Sequence, residues 1–308
     1  LSIIDTAKIN FWDKRIEQND FLQVRIGKGN QLLDAKVNYP EEGFTMEEDA
    51  LRKKVDAMVD EYRYLNNVPI GYSFYESKIT ALMGDINKCY GMIHNIILQF
   101  ITFYSYEDIK IVVFTNKLNE DNWEYIKYLN HSLSNDKMIR FFSSDLENSK
   151  YLSDYLNMEI QNRIQMAQNR QKNLKPYYIV ITDDYSQIKR TNFIKTLTET
   201  DDNLGFSLII LESQMSKLPS KCNNFITLGP TTSGILRNSF EEQEQLTFYD
   251  EINNTIDMME VTKKLSNIPI EFEDAQKKSL NKSQDLLEQK FMTNCEKYLS
   301  KIIDIPED

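Results

Sequence analysis

ITALMGDINKCYG, residues 79–91, sets an apolar run with β-branched members, Ile79 to Met83, directly before Gly84. An apolar helical pattern, GMIHNIILQFITFY, follows from Gly91. Strand, glycine and helix in that order form the layout of a phosphate-binding loop, whose pattern is G-x-x-x-x-G-K-[ST]. Gly84 takes the first place of that pattern, but Cys89, Tyr90 and Gly91 stand where the second glycine, the lysine and the hydroxyl belong. Cys89 puts a Cβ where close backbone approach needs glycine. Tyr90 replaces an ammonium with a neutral phenol, and Gly91 removes the hydroxyl that would ligate Mg²⁺. Losing one charge-assisted hydrogen bond costs about 1.5–3 kcal/mol. The residues 84–91 therefore read as a loop that keeps its shape without its chemistry. Gly84, Asp85, Lys88, Cys89, Tyr90 and Gly91 are its members, with Lys88, two positions early, or a residue of a neighbour as the candidate stand-in cation.

Outward from this stretch, buried strands alternate with helices. VPIGYSF (68–74) is a strand before the loop, KIVVFT (110–115) a strand after the helix, and NWEYIKYL (122–129) a short helix. MIRFFSS is a strand, 150–172 a long helix, and YYIVITDD (177–184) a buried strand that ends in two acids. A helix near 191–199 leads to the strands FSLIILES (206–213) and FITLG (225–229). Such alternation predicts an α/β, P-loop-NTPase-like fold with a mostly parallel sheet and helices on both faces. Upstream, FLQVRI alternates before Gly27-Lys28-Gly29-Asn30, which predicts a hairpin turning at those residues. Thr45 to Glu48 has capping-box spacing. The stripe Leu51, Val55, Met58, Val59, Tyr62 and Leu65 extends an amphipathic helix over 46–66. The expected organisation is an N-terminal hairpin and helix (1–67), the ATPase-like core (68–268) and a helical extension (269–308) striped by Leu287, Phe291, Cys295, Leu299 and Ile302.

The strand IVIT followed by Asp183 and Asp184 has the form of a Walker B element. The first acid would help hold Mg²⁺ and the second would polarise an attacking water. The plainer alternative is a strand ending in a capping aspartate. Gln214, after the next strand, falls where a γ-phosphate would be sensed. Catalytic candidates are therefore Asp183, Asp184 and Gln214, with Asp183 as the one metal candidate.

Other function classes recede. The chain of 308 residues carries 36 Lys plus Arg against 47 Asp plus Glu, a net charge of −11, and shows no basic stripe for nucleic acid. Its three cysteines lack metal or disulfide spacing, which fits a reducing compartment. His94 lies in an apolar helical stretch and reads as a packed core histidine. Trp12, Trp123, Tyr125 and Tyr128 read as core or interface anchors rather than a base-stacking platform. The acids between Glu41 and Asp49 read as a solvated loop and helix start. No apolar stretch approaches the ~18 residues that span a bilayer, so this chain is expected to be soluble.

FWDKRIEQNDFLQVRIGKG, residues 11–29, resembles the [FW]-W-x-[KR]-R…D-F-L-x-x-R-x-G-x-G segment of the FtsK/SpoIIIE-type coupling proteins of type VII secretion. The stretches 68–74, 108–131 and 177–184 are similar to the same family, and the likeness runs over roughly residues 10 to 275. The resemblance implies a membrane-proximal, degenerate ATPase-like domain, on the cytoplasmic face, of a multi-ATPase motor that exports small WXG100-type proteins. By position it also implies that Asp183 and Asp184 match the Walker B acids and Gln214 the sensor. ATP and Mg²⁺ would belong to the motor's other domains. The implied partners are those domains, other secretion membrane components, the exported proteins and further copies of the motor. Three readings stay open: a coupling domain without efficient hydrolysis, a working ATPase with a non-standard loop, and a substrate- or partner-binding module.

Overall fold

The computed structural model describes residues 11–33, 53–55, 57–58, 62–169, 174–238, 243–253 and 255–267. The strands are β1 (Gln23–Leu32), β2 (Tyr64–Ser73), β3 (Ile79–Gly84), β4 (Ile109–Phe114), β5 (Phe142–Ser143), β6 (Tyr177–Thr182), β7 (Phe206–Leu211), β8 (Asn224–Leu228), β9 (Ser233–Asn238) and β10 (Gln243–Asp250). The helices are α1 (Ile86–Phe103), α2 (Leu146–Gln168), α3 (Tyr185–Ile188), α4 (Asn192–Glu199) and α5 (Met258–Ser266). Between β4 and β5 a nine-residue 3₁₀ segment spans Glu120–Tyr128. The chain forms two compact units, 1–262 and 263–308, and the second is described only over 263–267.

All ten strands among the described residues join one sheet in the order β2-β1-β10-β9-β8-β3-β7-β6-β4-β5. From β8 to β5 every pairing is parallel, and from β8 back to β2 every pairing is antiparallel. The expected parallel α/β core is present, extended by an antiparallel wing. β4, β6 and β7 are buried at every position, as continuous apolar runs require when helices cover both faces. One residue set (Ala81, Met83, Val112, Phe114, Val180, Leu208, Ile210) packs with Leu152, Leu156 and Ile160 of α2 and Phe193, Ile194 and Leu197 of α4. The alternate set, including Leu82, Ile111, Ile179 and Ile209, is equally buried on the face that carries α1.

Three expectations change. The chain does not turn at Gly27–Asn30. β1 continues through these residues, with register shifts between Arg25 and Gly27 and between Gly29 and Gln31, and pairs with β2; residues 34–37 of the expected hairpin lie outside the described residues. The glycines serve close approach instead. A Cβ on Gly27 would lie 2.2 Å from the Tyr249 carbonyl oxygen of β10, and one on Gly29 2.9 Å from that of Thr247. Second, the helix expected over 46–66 stops before Tyr64, because Tyr64 and Leu65 pair with Leu32 and Gln31 in the sheet. Its described residues 53–55 and 57–58 are helical, but Val55 and Met58 are 38% and 58% exposed; the remainder up to 61 lies outside the described residues. Third, β9 and β10 had no signal in the reading of the sequence, yet they weld the wing to the parallel core. The stripe from Leu287 to Ile302 lies outside the described residues.

Candidate functional site

The parallel strands point their carboxyl ends at one edge, where ligands sit in open α/β sheets. A cavity of about 1140 Å³ lies there, lined in part by Gly84, Ile86, Asn119, Asp183, Asp184 and Glu212. Lys189, Arg190 and Lys217 contribute cations to the same wall.

The strand-to-helix link is shorter than the sequence suggests. β3 ends at Gly84 and α1 begins at Ile86, so Asp85 is the entire connection. Gly84 has φ +116°, and a Cβ there would come within 2.2 Å of the Leu228 carbonyl oxygen, so glycine is required. Asp85 caps α1: its Oδ1 accepts the backbone N–H of Asn87 at 2.8 Å and of Lys88 at 3.2 Å. Free amides at a helix start are what a phosphate-binding loop offers its ligand. Here the protein's own carboxylate takes them.

The expected loop residues 88–91 are consequently not loop residues. They form the first turns of α1, which corrects the expectation that the loop kept its shape. Lys88 points away from the cavity, its Nζ donating to Gly229 O at 2.7 Å and to Asp250 Oδ2 at 3.2 Å. Cys89 is buried, and burial together with the nearby Asp85 pushes its thiol up to about 12, far from a reactive thiolate. Tyr90 turns inward and donates its hydroxyl to Asp183 Oδ2 at 2.6 Å. Burial first, and then this bond to Asp183, raise the phenol's pKa.

Asp183 is the hub of the edge. Its Oδ2 also accepts Trp123 Nε1 at 2.8 Å and Thr115 Oγ1 at 3.0 Å. Burial raises its pKa, and the bonds from Tyr90, Trp123 and Thr115 only partly oppose that shift. Asp184 differs. Burial pushes it up, but bonds from Ser186, Asn116 and Gln187 outweigh burial and its pKa is lowered. Asn116 Nδ2 lies 3.1 Å and Gln187 Nε2 3.2 Å from Asp184 Oδ2. Gln214 is exposed, outside the cavity lining, at the start of a 3₁₀ turn over Met215–Lys217. The structure thus joins Tyr90 and Asp183, places Asp184 beside them, and separates both from Lys88 and Gln214.

A Mg-nucleotide does not fit these residues. The amides are capped by Asp85, Lys88 is engaged at Gly229 and Asp250, and three neutral donors converge on Asp183 Oδ2. Among the described residues no group of three or more His, Cys, Asp and Glu is arranged to hold a metal.

Reading the sequence missed Trp123 and Thr115 as partners of Asp183, since neither type signals that role. It also missed what the FWDKR segment does. Trp12 Nε1 donates to Ile101 O at 2.9 Å, and the backbone N–H groups of Trp12 and Lys14 donate to Thr102 O and Phe103 O, both at 3.1 Å. These bonds satisfy carbonyls that the last turn of α1 leaves without helical donors. Arg15 and Lys175 flank the buried Asp108, the latter at 2.7 Å, and fasten the same segment to the sheet's opposite edge.

No protein-family model matches this chain. Type VII secretion system protein EssC of Staphylococcus aureus (strain NCTC 8325 / PS 47) is 22% identical over 271 residues, covering 86% of this chain and 18% of that protein. ESX secretion system protein EccC of Geobacillus thermodenitrificans (strain NG80-2) is 22% identical over 227 residues, 73% of this chain and 15% of the relative. The chain therefore spans less than a fifth of the curated relatives it matches. Among solved structures, EssC (ATPases 2 and 3) from Geobacillus thermodenitrificans superimposes with a TM-score of 0.53 at 12% identity, covering 85% of this chain and 53% of that one. That likeness carries the fold. Over most of its length this chain is homologous to the EssC/EccC proteins of type VII secretion systems, and it has the α/β fold of an ATPase domain of that kind.

Proposed function

We propose that this chain is a degenerate, non-hydrolysing coupling domain of an EssC/EccC-type motor. It stands between the membrane-anchored part and the ATPase domains that follow, at the cytoplasmic face. The observation that carries the reading is the replacement of ligand contacts by internal ones: Asp85 on the amides of α1 and Tyr90 on Asp183. Asp183 and Asp184 then serve structure, and Gln214 senses nothing here.

Coupling is supported by the way α1 is held at both ends. The 11–22 segment fastens its last turn, and Tyr90 fastens its first turns to Asp183 at the end of β6. Movement of whatever precedes residue 11 would reach the carboxyl edge through one rigid helix. In this arrangement the 11–22 segment carries the link toward the membrane, the sheet from β1 to β10 with its helices forms the ATPase-like core, and 269–308 follow as an extension. The motor's other domains supply ATP and Mg²⁺ chemistry, drive export of WXG100-type proteins and assemble as further copies with other secretion components.

Isothermal titration with Mg-ATP tests the reading. No saturable binding tighter than about 1 mM is expected. A low-micromolar dissociation constant that Asp183→Ala abolishes would overturn it in favour of a working ATPase.

A further inference from the structure

We propose that Asp183 is a ligand-free latch: its carboxylate joins α1 to the strap formed by residues 116–132 and so sets the spacing of the cavity walls. The inference rests on the reading that no nucleotide organises this edge. Asp183 Oδ2 takes donors from three separate places, Tyr90 on α1, Thr115 just past β4, and Trp123 in the 3₁₀ segment. The rings of Tyr90 and Trp123 also meet edge-on, with centroids 5.9 Å apart. Beside the latch, Asn116 of the strap donates to Asp184. Ile86 at the start of α1, Asn119 of the strap and Asp183 itself all line the cavity, so the three walls meet at this carboxylate.

Two further observations show that the latched arrangement is not over-determined. The strap's nine-residue 3₁₀ run is long for a helix type with poor hydrogen-bond geometry, so its own backbone bonds hold it weakly. In addition, Asp183 Oδ1, His94 Nε2 and Tyr125 Oη are buried without a hydrogen-bond partner among the described residues, and all belong to the group of side chains around Trp123. Buried polar atoms are normally paired, so these three mark the packing around Trp123 as the least fully satisfied part of this edge. Trp123, Ile126 and Leu129 are all fully buried, so the strap is anchored in the core along its length and the latch concerns its link to α1.

Hydrogen-exchange mass spectrometry on the whole chain tests the latch. Tyr90→Phe keeps the ring and deletes only the hydroxyl, and Trp123→Phe deletes the indole N–H. If the latch joins the two elements, Tyr90→Phe speeds exchange in peptides covering 116–132 by about tenfold, and Trp123→Phe does the same at the start of α1. Asp183→Ala accelerates both together, and exchange in β4, β6 and β7 stays as in the parent. If each variant changes only its own segment, or the other segment by less than about twofold, the latch is overturned. Should Trp123→Phe fail to fold, Tyr90→Phe decides alone. A parallel series with Mg-ATP at about 1 mM separates the two readings. Protection of both segments by nucleotide would sink the non-hydrolysing domain. No nucleotide effect, with uncoupled variants, would sink the latch alone.

Discussion

Replacing Asp85 with alanine asks directly whether a carboxylate has taken the phosphate's place. In the parent, Asp85 Oδ1 accepts two backbone N–H groups, at 2.8 and 3.2 Å, and puts a negative charge at the positive end of an 18-residue helix. Loss of an aspartate cap costs about 1 kcal/mol, and loss of the charge near the dipole about 0.3–1 kcal/mol. The two together give about 1–2 kcal/mol. For a unit of this size that lowers Tm by about 2–8 °C. The informative part is the rescue. Once uncapped, the amides of Asn87 and Lys88 form an anion site, so phosphate or sulfate should restore part of the lost stability. An anion at ten times its dissociation constant restores about 1.4 kcal/mol. The parent, already capped, should gain nothing beyond the general salting effect, which a chloride series at equal ionic strength removes. Differential scanning calorimetry of both proteins across an anion series reads the result. Equal anion stabilisation of parent and Asp85→Ala would refute the reasoning, as would a variant with unchanged Tm.

Gly27→Ala should destabilise the sheet by about 2 kcal/mol or more, because its Cβ would sit 2.2 Å from the Tyr249 carbonyl oxygen; urea unfolding measures it, and a neutral effect would show that β10 can retreat. Lys110 is a buried lysine of β4 whose pKa burial lowers to about 8, against 10.5 for the free side chain. Its folded pKa lies below the unfolded one, so the cost of charging it is present below about pH 8 and is relieved as pH rises toward 10.5. Lys110→Met should therefore be more stable by about 2–3 kcal/mol at pH 7, with an advantage that shrinks above pH 8 in urea titrations; an advantage independent of pH would contradict it. Burial lowers His94 to about 4 and His131 to about 3, so the fold holds both neutral while the unfolded chain protonates below 6.5. Stability should be complete above pH 6.5 and fall as pH drops through that window, and His131→Gln should flatten the fall in urea midpoints measured from pH 7 to 4.

The parallel core was legible because its signals are local. Six-residue runs such as IKIVVF, YYIVIT and FSLIIL have too few polar residues for anything but strands buried on both faces, and the helices between them repeat at their own period. Asp183 and Asp184 could be found the same way, as acids ending a buried strand. Their partners could not. Thr115 and Trp123 lie 68 and 60 residues from Asp183 in the chain and meet it only because β4 is placed beside β6.

The sequence alone settled that this is an α/β chain in which buried strands alternate with helices. Composition and short-range periodicity act within a few residues, and they suffice for element type. Tertiary structure decided the rest. Gly27 and Gly29 look like turn residues until β10 lies against them, and Leu65 continues a helical stripe until β1 offers it a strand partner. Whether Tyr90 is a defective lysine position or a hydrogen-bond donor depends on what stands at the end of β6, 93 residues away. A side chain's role at such a distance is fixed by which backbone the sheet brings alongside it, and no local pattern carries that information.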